Sequence, residues 1–151
     1  MQLTPHFSLS ELTRTSADVP NDPDLQALHH LADLCRDVLE PVRAALGVPL
    51  RVNSGYRSAS VNRIIGGSRT SQHMQGQAAD VVPVGLDAEE AMQKIAAEVR
   101  AGRLPRLGQA IIYASGFLHL SIDVEKPRQQ LLRSASRGGS GGPYSTYSAY
   151  S

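Results

Sequence analysis

Between Leu25 and Leu46 the apolar positions recur at intervals of three and four residues, through Leu28, Leu31, Ala32, Cys35, Val38, Leu39 and Val42, and the run stops at Gly47. That spacing predicts one long amphipathic helix, with Asp22 and Pro23 as N-cap and first-turn proline. A bend is expected near Pro41, which lacks the N–H a helix interior needs. The period then changes. "PLRVNSGYRS" alternates apolar and polar as a short strand and ends in a Ser54-Gly55 turn that delivers Tyr56 and Arg57 to the strand end. "SVNRIIGG" reads as a short helix closed by Gly66, and "QAADVVPV" as a strand carrying Asp80 at its start. Asp87 and Glu90 have capping-box spacing before "AEEAMQKIAAEVRAG", an amphipathic helix ending at Gly102. In "QAIIYASGFLHLSIDV" two apolar runs flank Ser115-Gly116, the pattern of a β-hairpin, and "RQQLLR" adds an expected edge strand.

Both chain ends lack this patterning. Residues 1–21 mix Pro, Asp, Asn and Ser around one short helical candidate at 8–13, where Ser8 and Glu11 have capping-box spacing. They read as an arm laid on the domain surface. From Ser134 the chain runs "SASRGGSGGPYSTYSAYS", a Gly, Ser and Tyr composition that cannot form a core of its own. The expected plan is a domain over 1–133, arm included, and a tail over 134–151. Helices and antiparallel strands interleave without a repeated βαβ unit, so the class is α+β, a small mostly antiparallel sheet packed with helices.

Composition narrows the functions. The 151 residues are 41% hydrophobic, enough for one domain with a real core. Fifteen basic and 14 acidic residues leave a formal net charge of +1 with no basic stripe, which argues against a nucleic-acid partner. The single cysteine, Cys35, excludes an internal disulfide and a cysteine zinc cluster, and fits a small buried hydrophobe. No apolar run is long enough to span a bilayer, and the start has no basic and apolar signal pattern. The expectation is synthesis in the cytoplasm and another route to any task at the cell wall or on a virion.

A metal site must therefore come from histidine and carboxylate. Of five histidines, the adjacent His29 and His30 point in different directions from the long helix, and His6 lies in the arm. His73 and Asp80 stand seven apart where a glycine-bearing loop enters a strand; on spacing alone, a surface histidine and a turn aspartate explain them as well. Leu118, Leu120 and Ile122 alternate against Phe117, His119 and Ser121, so His119 faces a side that the other strand residues only partly fill; a satisfied core histidine is the competing reading.

These residues carry a resemblance. "SGYRSASVNRIIGGSRTSQHMQGQAADV" is similar to the central block of the M15 zinc peptidases, in the D-Ala-D-Ala carboxypeptidase-like and phage endolysin-like branch, which shares its fold with hedgehog-like domains. "FSLSEL", "LEPVRAALG" and "GFLHLSI" resemble the same branch, which covers roughly residues 7–123. The resemblance implies Zn2+ on His73, Asp80 and His119 with water in the fourth place, Arg57 binding substrate and stabilising an oxyanion, and Ser71 and Tyr113 beside the substrate. Its implied substrates are peptidoglycan peptides containing D-amino acids.

One element of the pattern is missing. Many M15 enzymes place a carboxylate three residues before the last histidine ligand, where this chain has Gly116, and related sequences often have Glu where it has Tyr113. The hairpin from Gln109 to His119 holds no acidic residue, and Asp123, the nearest acid in sequence, is the candidate acid and base. Two functions follow as expectations: a zinc-dependent peptidoglycan peptidase of phage or prophage setting, or an M15-like module that binds zinc or cell wall as a structural part of a phage particle. In the second, the tail docks on a protein partner through Tyr144, Tyr147 and Tyr150.

Overall fold

The long helical run is one continuous feature in the computed structural model, which describes residues 1–136 and 141–148, but it is built from three pieces. Helix α2 (Leu25–Leu34) passes into a π-helical turn (Cys35–Leu39) and then into α3 (Glu40–Leu46). Pro41 supplies the reason. It cannot bond the carbonyl four residues back, and in the turn before it the Glu40 N–H reaches Cys35 instead, five residues away. The helix is capped by Asp24, which accepts from the Ala27 N–H, two residues later than the Asp22 cap expected from sequence. Gly47 closes it in the left-handed conformation.

The amino-terminal residues are more firmly built in than a surface arm. Strands β1 (Gln2–Thr4) and β2 (Phe7–Ser8) pair, and α1 (Leu9–Thr13) follows with the expected Ser8–Glu11 capping box. Phe7 and Leu12 are fully buried in the core. The Leu12 carbonyl accepts from the Tyr56 N–H at 2.7 Å, tying this segment to the turn that carries Arg57.

Six strands form the main sheet: β3 (Leu50–Ser54), β4 (Ala78–Pro83), β5 (Leu107–Tyr113), β6 (Leu118–Ile122), β7 (Gln130–Ser134) and β8 (Tyr144–Thr146), in the order β3-β4-β6-β5-β7-β8. All neighbours are antiparallel except β5 and β7, which run parallel. The fold is therefore α+β with helices and a mixed sheet. The pairing of β5 with β6 is the hairpin expected from "QAIIYASGFLHLSIDV".

Alternation along the strands separates two faces. Ala79, Val81, Leu118, Leu120, Ile122, Ala110 and Ile112 join Leu31, Leu34, Val38 and Met92 in one buried apolar cluster. That cluster lies under α2, the π turn and α5 (Ala88–Arg100). The intervening residues, Asp80, His119, Ile111 and Tyr113, share the opposite face. There sit α4 (Ala59–Ile65), capped by Ser58 and Gly66, and a 3-10 turn (Gln72–Gln75). Helix α5 begins after Asp87 as expected, but Asp87 makes no capping side-chain bond, so the Asp87–Glu90 box is not formed.

The largest departure is at the carboxy-terminal end. The strand predicted in "RQQLLR" is internal, because β8 from the tail pairs with β7 in the register Leu132↔Thr146, Arg133↔Ser145 and Ser134↔Tyr144. Tyr147 is 8% exposed and belongs to the core cluster. Composition shows that a Gly/Ser/Tyr segment cannot make a core; it does not prevent one aromatic ring from completing a core that the rest of the chain supplies. Tyr144 and Tyr147 thus dock on their own domain, while Tyr150 lies outside the described residues. Among the described residues no helix is long and apolar enough to cross a membrane.

Candidate metal centre

Strand register brings the centre together. Asp80 on β4 and His119 on β6 are directly opposed partners, and Ser54, at the end of β3, is opposite Asp80 on its other side. Since opposed residues share a face, Asp80 Oδ1 and His119 Nδ1 meet at 3.0 Å. His73 arrives from the 3-10 turn and places Nε2 3.4 Å from the same Oδ1. The three candidate donor atoms lie within 4.8 Å of one another. Two of these separations fall near the edge of a tetrahedron with 2.0–2.1 Å arms, about 3.3 Å.

The second nitrogen of each ring has its own partner. His73 Nδ1 donates to the Gly55 carbonyl at 2.8 Å, and His119 Nε2 meets Gln72 Oε1 at 3.1 Å. With those nitrogens as the N–H donors, the lone pairs of His73 Nε2 and His119 Nδ1 both aim at Asp80. Two lone pairs and a carboxylate oxygen then converge with no proton among them, an arrangement that needs a cation at its middle. The donor set fits a metal ion on this chemistry.

The electrostatics agree. Burial alone would raise the Asp80 carboxyl, but the neighbouring His119 and His73 outweigh it and its pKa is lowered. Burial lowers the His119 pKa, against the opposing pull of Asp80, so the imidazole favours its neutral, ligating form. Arg57 is 8% exposed; its Nη2 lies 3.5 Å from Asp80 Oδ2 and its Nε donates to Ser54 Oγ at 3.1 Å. Burial lowers its pKa too, opposed by Asp80.

A cavity of about 480 Å³ opens in front of the centre, lined by Arg57, His73 and His119 and also by Ser71, Tyr113 and Tyr144. Ser71 Oγ accepts from the His73 N–H at 3.3 Å and starts the 3-10 turn. Gly76 ends that turn at φ +72°, and a Cβ there would stand 2.5 Å from the Ala27 carbonyl oxygen, so only glycine seats the loop against α2. Tyr113 is 3% exposed, stacked on Phe117, with burial and then the Tyr144 hydroxyl raising its pKa.

Other expected residues fall outside. Asp123 follows β6 and is gripped by Arg128, whose Nε and Nη2 donate at 2.9 and 3.0 Å; this pairing lowers its pKa, and Asp123 does not line the cavity. His6 pairs with Glu40, His30 Nδ1 bonds the Gln75 carbonyl and His29 is exposed; none joins the centre. Sequence reasoning did not single out the Gly55 carbonyl or the Gln72 amide as ring partners, nor Tyr144 as a cavity wall. Gln72 had one available signal, its place beside His73 in "SQH".

The sequence pattern of the Peptidase M15 family matches residues 5–121, about three quarters of the chain, and the protein belongs to that family. Its members are metallopeptidases, and the matched span contains all three candidate ligands. A comparison with curated proteins returns no match.

Proposed function

We propose that this protein is a zinc-dependent peptidase of peptidoglycan, cutting stem or cross-link peptides that contain D-amino acids. The observation that carries the reading is the convergence of His73 Nε2, Asp80 Oδ1 and His119 Nδ1 behind a cavity that the two histidines and the buried Arg57 line. Zinc held there would supply a Lewis acid and a water of lowered pKa. Arg57, fixed by Ser54 and Asp80, offers its guanidinium to the oxygen that gains charge as the peptide carbonyl is attacked. His73 and His119 stay oriented through Gly55 and Gln72.

Proton transfer is the weak point of this machinery. None of the described residues lining the cavity is Asp or Glu. Asp123 is committed to Arg128 and its lowered pKa makes it a poor proton carrier. Tyr113 keeps its proton because its pKa is raised, so it can donate to a leaving amine but cannot take a proton from water near neutral pH. The reading therefore carries slow turnover.

The same observation favours a second reading, a zinc- or cell-wall-binding structural component such as a phage particle uses. Metal analysis paired with a muropeptide digest separates the two. The peptidase reading expects one equivalent of zinc and shortened stem peptides, with no products from His119→Ala. Zinc without turnover supports the structural component instead, and equal products from both proteins would sink the enzymatic reading.

A further inference from the structure

The carboxy-terminal strand lies beyond the family-matched residues 5–121, yet it reaches the cavity. We infer that Tyr144 is a specificity-determining residue, whose ring face receives an apolar side chain of a peptide bound at the metal centre. This rests on the metal-binding part of the function proposed above.

Placement of the ring is fixed from both sides. Downstream, Tyr147 is buried, its hydroxyl donates to Glu89 Oε1 at 3.1 Å, and its N–H bonds the Leu131 carbonyl at 2.9 Å. Arg133 lies 5.1 Å over the Tyr147 ring while gripping Glu89 with two bonds of 3.0 and 2.9 Å. Upstream, the Pro143 carbonyl accepts from the Ala135 N–H at 3.0 Å, and Ser134 bonds the Gly141 carbonyl. Residue 144 is therefore held in register on β7 rather than swinging on a loose end.

What it presents is a half-exposed aromatic ring. Tyr144 is 48% exposed, whereas the other large apolar side chains of the lining, Ile111 and Tyr113, are 4% and 3% exposed. Its hydroxyl meets that of Tyr113 at 3.4 Å, and Tyr113 is itself stacked on Phe117 at 4.4 Å between ring centres, so one edge of Tyr144 is steadied. The facing loop contributes small and polar residues, Gly66, Gly67, Ser68 and Thr70. A cavity of about 480 Å³ holds more than a metal and its water, and Tyr144 is the most exposed large apolar side chain in its lining. An aliphatic side chain adjoining the metal-bound group would cover that ring and gain affinity from the water it excludes.

Two hydroxamates test this without requiring turnover, because both take the metal through the same group: acetohydroxamate, with only a methyl, and leucine hydroxamate, with a branched side chain. Titration calorimetry on zinc-loaded protein should show the leucine compound binding roughly fivefold tighter, from partial burial of its side chain. Tyr144→Thr, short but suited to a strand, should erase that gain and leave acetohydroxamate affinity unchanged, which also reports an intact centre. Tyr144→Phe should keep the gain. The inference is overturned if wild-type protein shows no gain, if Tyr144→Thr retains it, or if Tyr144→Phe loses it as fully as Tyr144→Thr. Protein that binds both hydroxamates with the gain but digests no muropeptide refutes the peptidase and leaves the role of Tyr144 standing. Protein that binds neither refutes both.

Discussion

Gln72 touches the centre only through His119, yet its amide oxygen sets which nitrogen of that ring carries the proton. Gln72→Ala should weaken zinc affinity about 10–100-fold, the range for partners that orient a ligand, measured by competition with a chromophoric chelator. Unchanged affinity would show that strand pairing alone orients His119. Gly76 acts through backbone shape: Gly76→Ala at φ +72° against the Ala27 carbonyl should cost about 1–3 kcal/mol in urea unfolding. Cys35 is fully buried, and burial, with Glu40 and Glu11 nearby, pushes its thiol from 9.0 up to about 12. A raised pKa means the unfolded chain releases this proton first. Stability from Cys35 is then complete below pH 9.0 and lost as pH rises through about 12, and Cys35→Ala should flatten that part of the stability curve. The buried role of Cys35 was legible in the helix period, which places it on the apolar stripe that the core covers.

Helices and strands were legible where one period dominates. Alternation in "GFLHLSI" placed His119 opposite Leu118 and Leu120, and the structure buries those leucines while His119 faces the cavity. The Ser8–Glu11 box was legible too, and Ser8→Ala should cost about 1 kcal/mol, read as a lowered thermal midpoint. The same spacing at Asp87–Glu90 made no box, because spacing states that a cap can form and rotamers decide whether it does. The bend at Pro41 was expected, but its form, a π turn over Cys35–Leu39, was not. A missing N–H fixes where a ladder breaks and leaves the repair to packing.

Across the whole molecule, the tail was the least legible part. Its docking depends on Glu89, 58 residues before Tyr147 and 44 before Arg133, and no local window contains such a pair. Tyr147→Ala should cost about 3 kcal/mol through the cavity it leaves, seen in urea unfolding. The candidate ligands were readable as residue types, whereas their convergence required the pairing of β4 with β6. Those two strands are interior to the sheet and backed by the main core. Removing metal with a chelator should therefore abolish any hydrolysis while leaving the far-ultraviolet circular dichroism unchanged. Loss of that signal would mean that the ion holds the sheet together. The rung shared by Asp80 and His119 has one more consequence. A slip of a single residue between β4 and β6 would turn one of these side chains to the opposite face. Only correctly assembled copies would then retain an ion, so metal content in a purified batch would serve as an assay of folding fidelity.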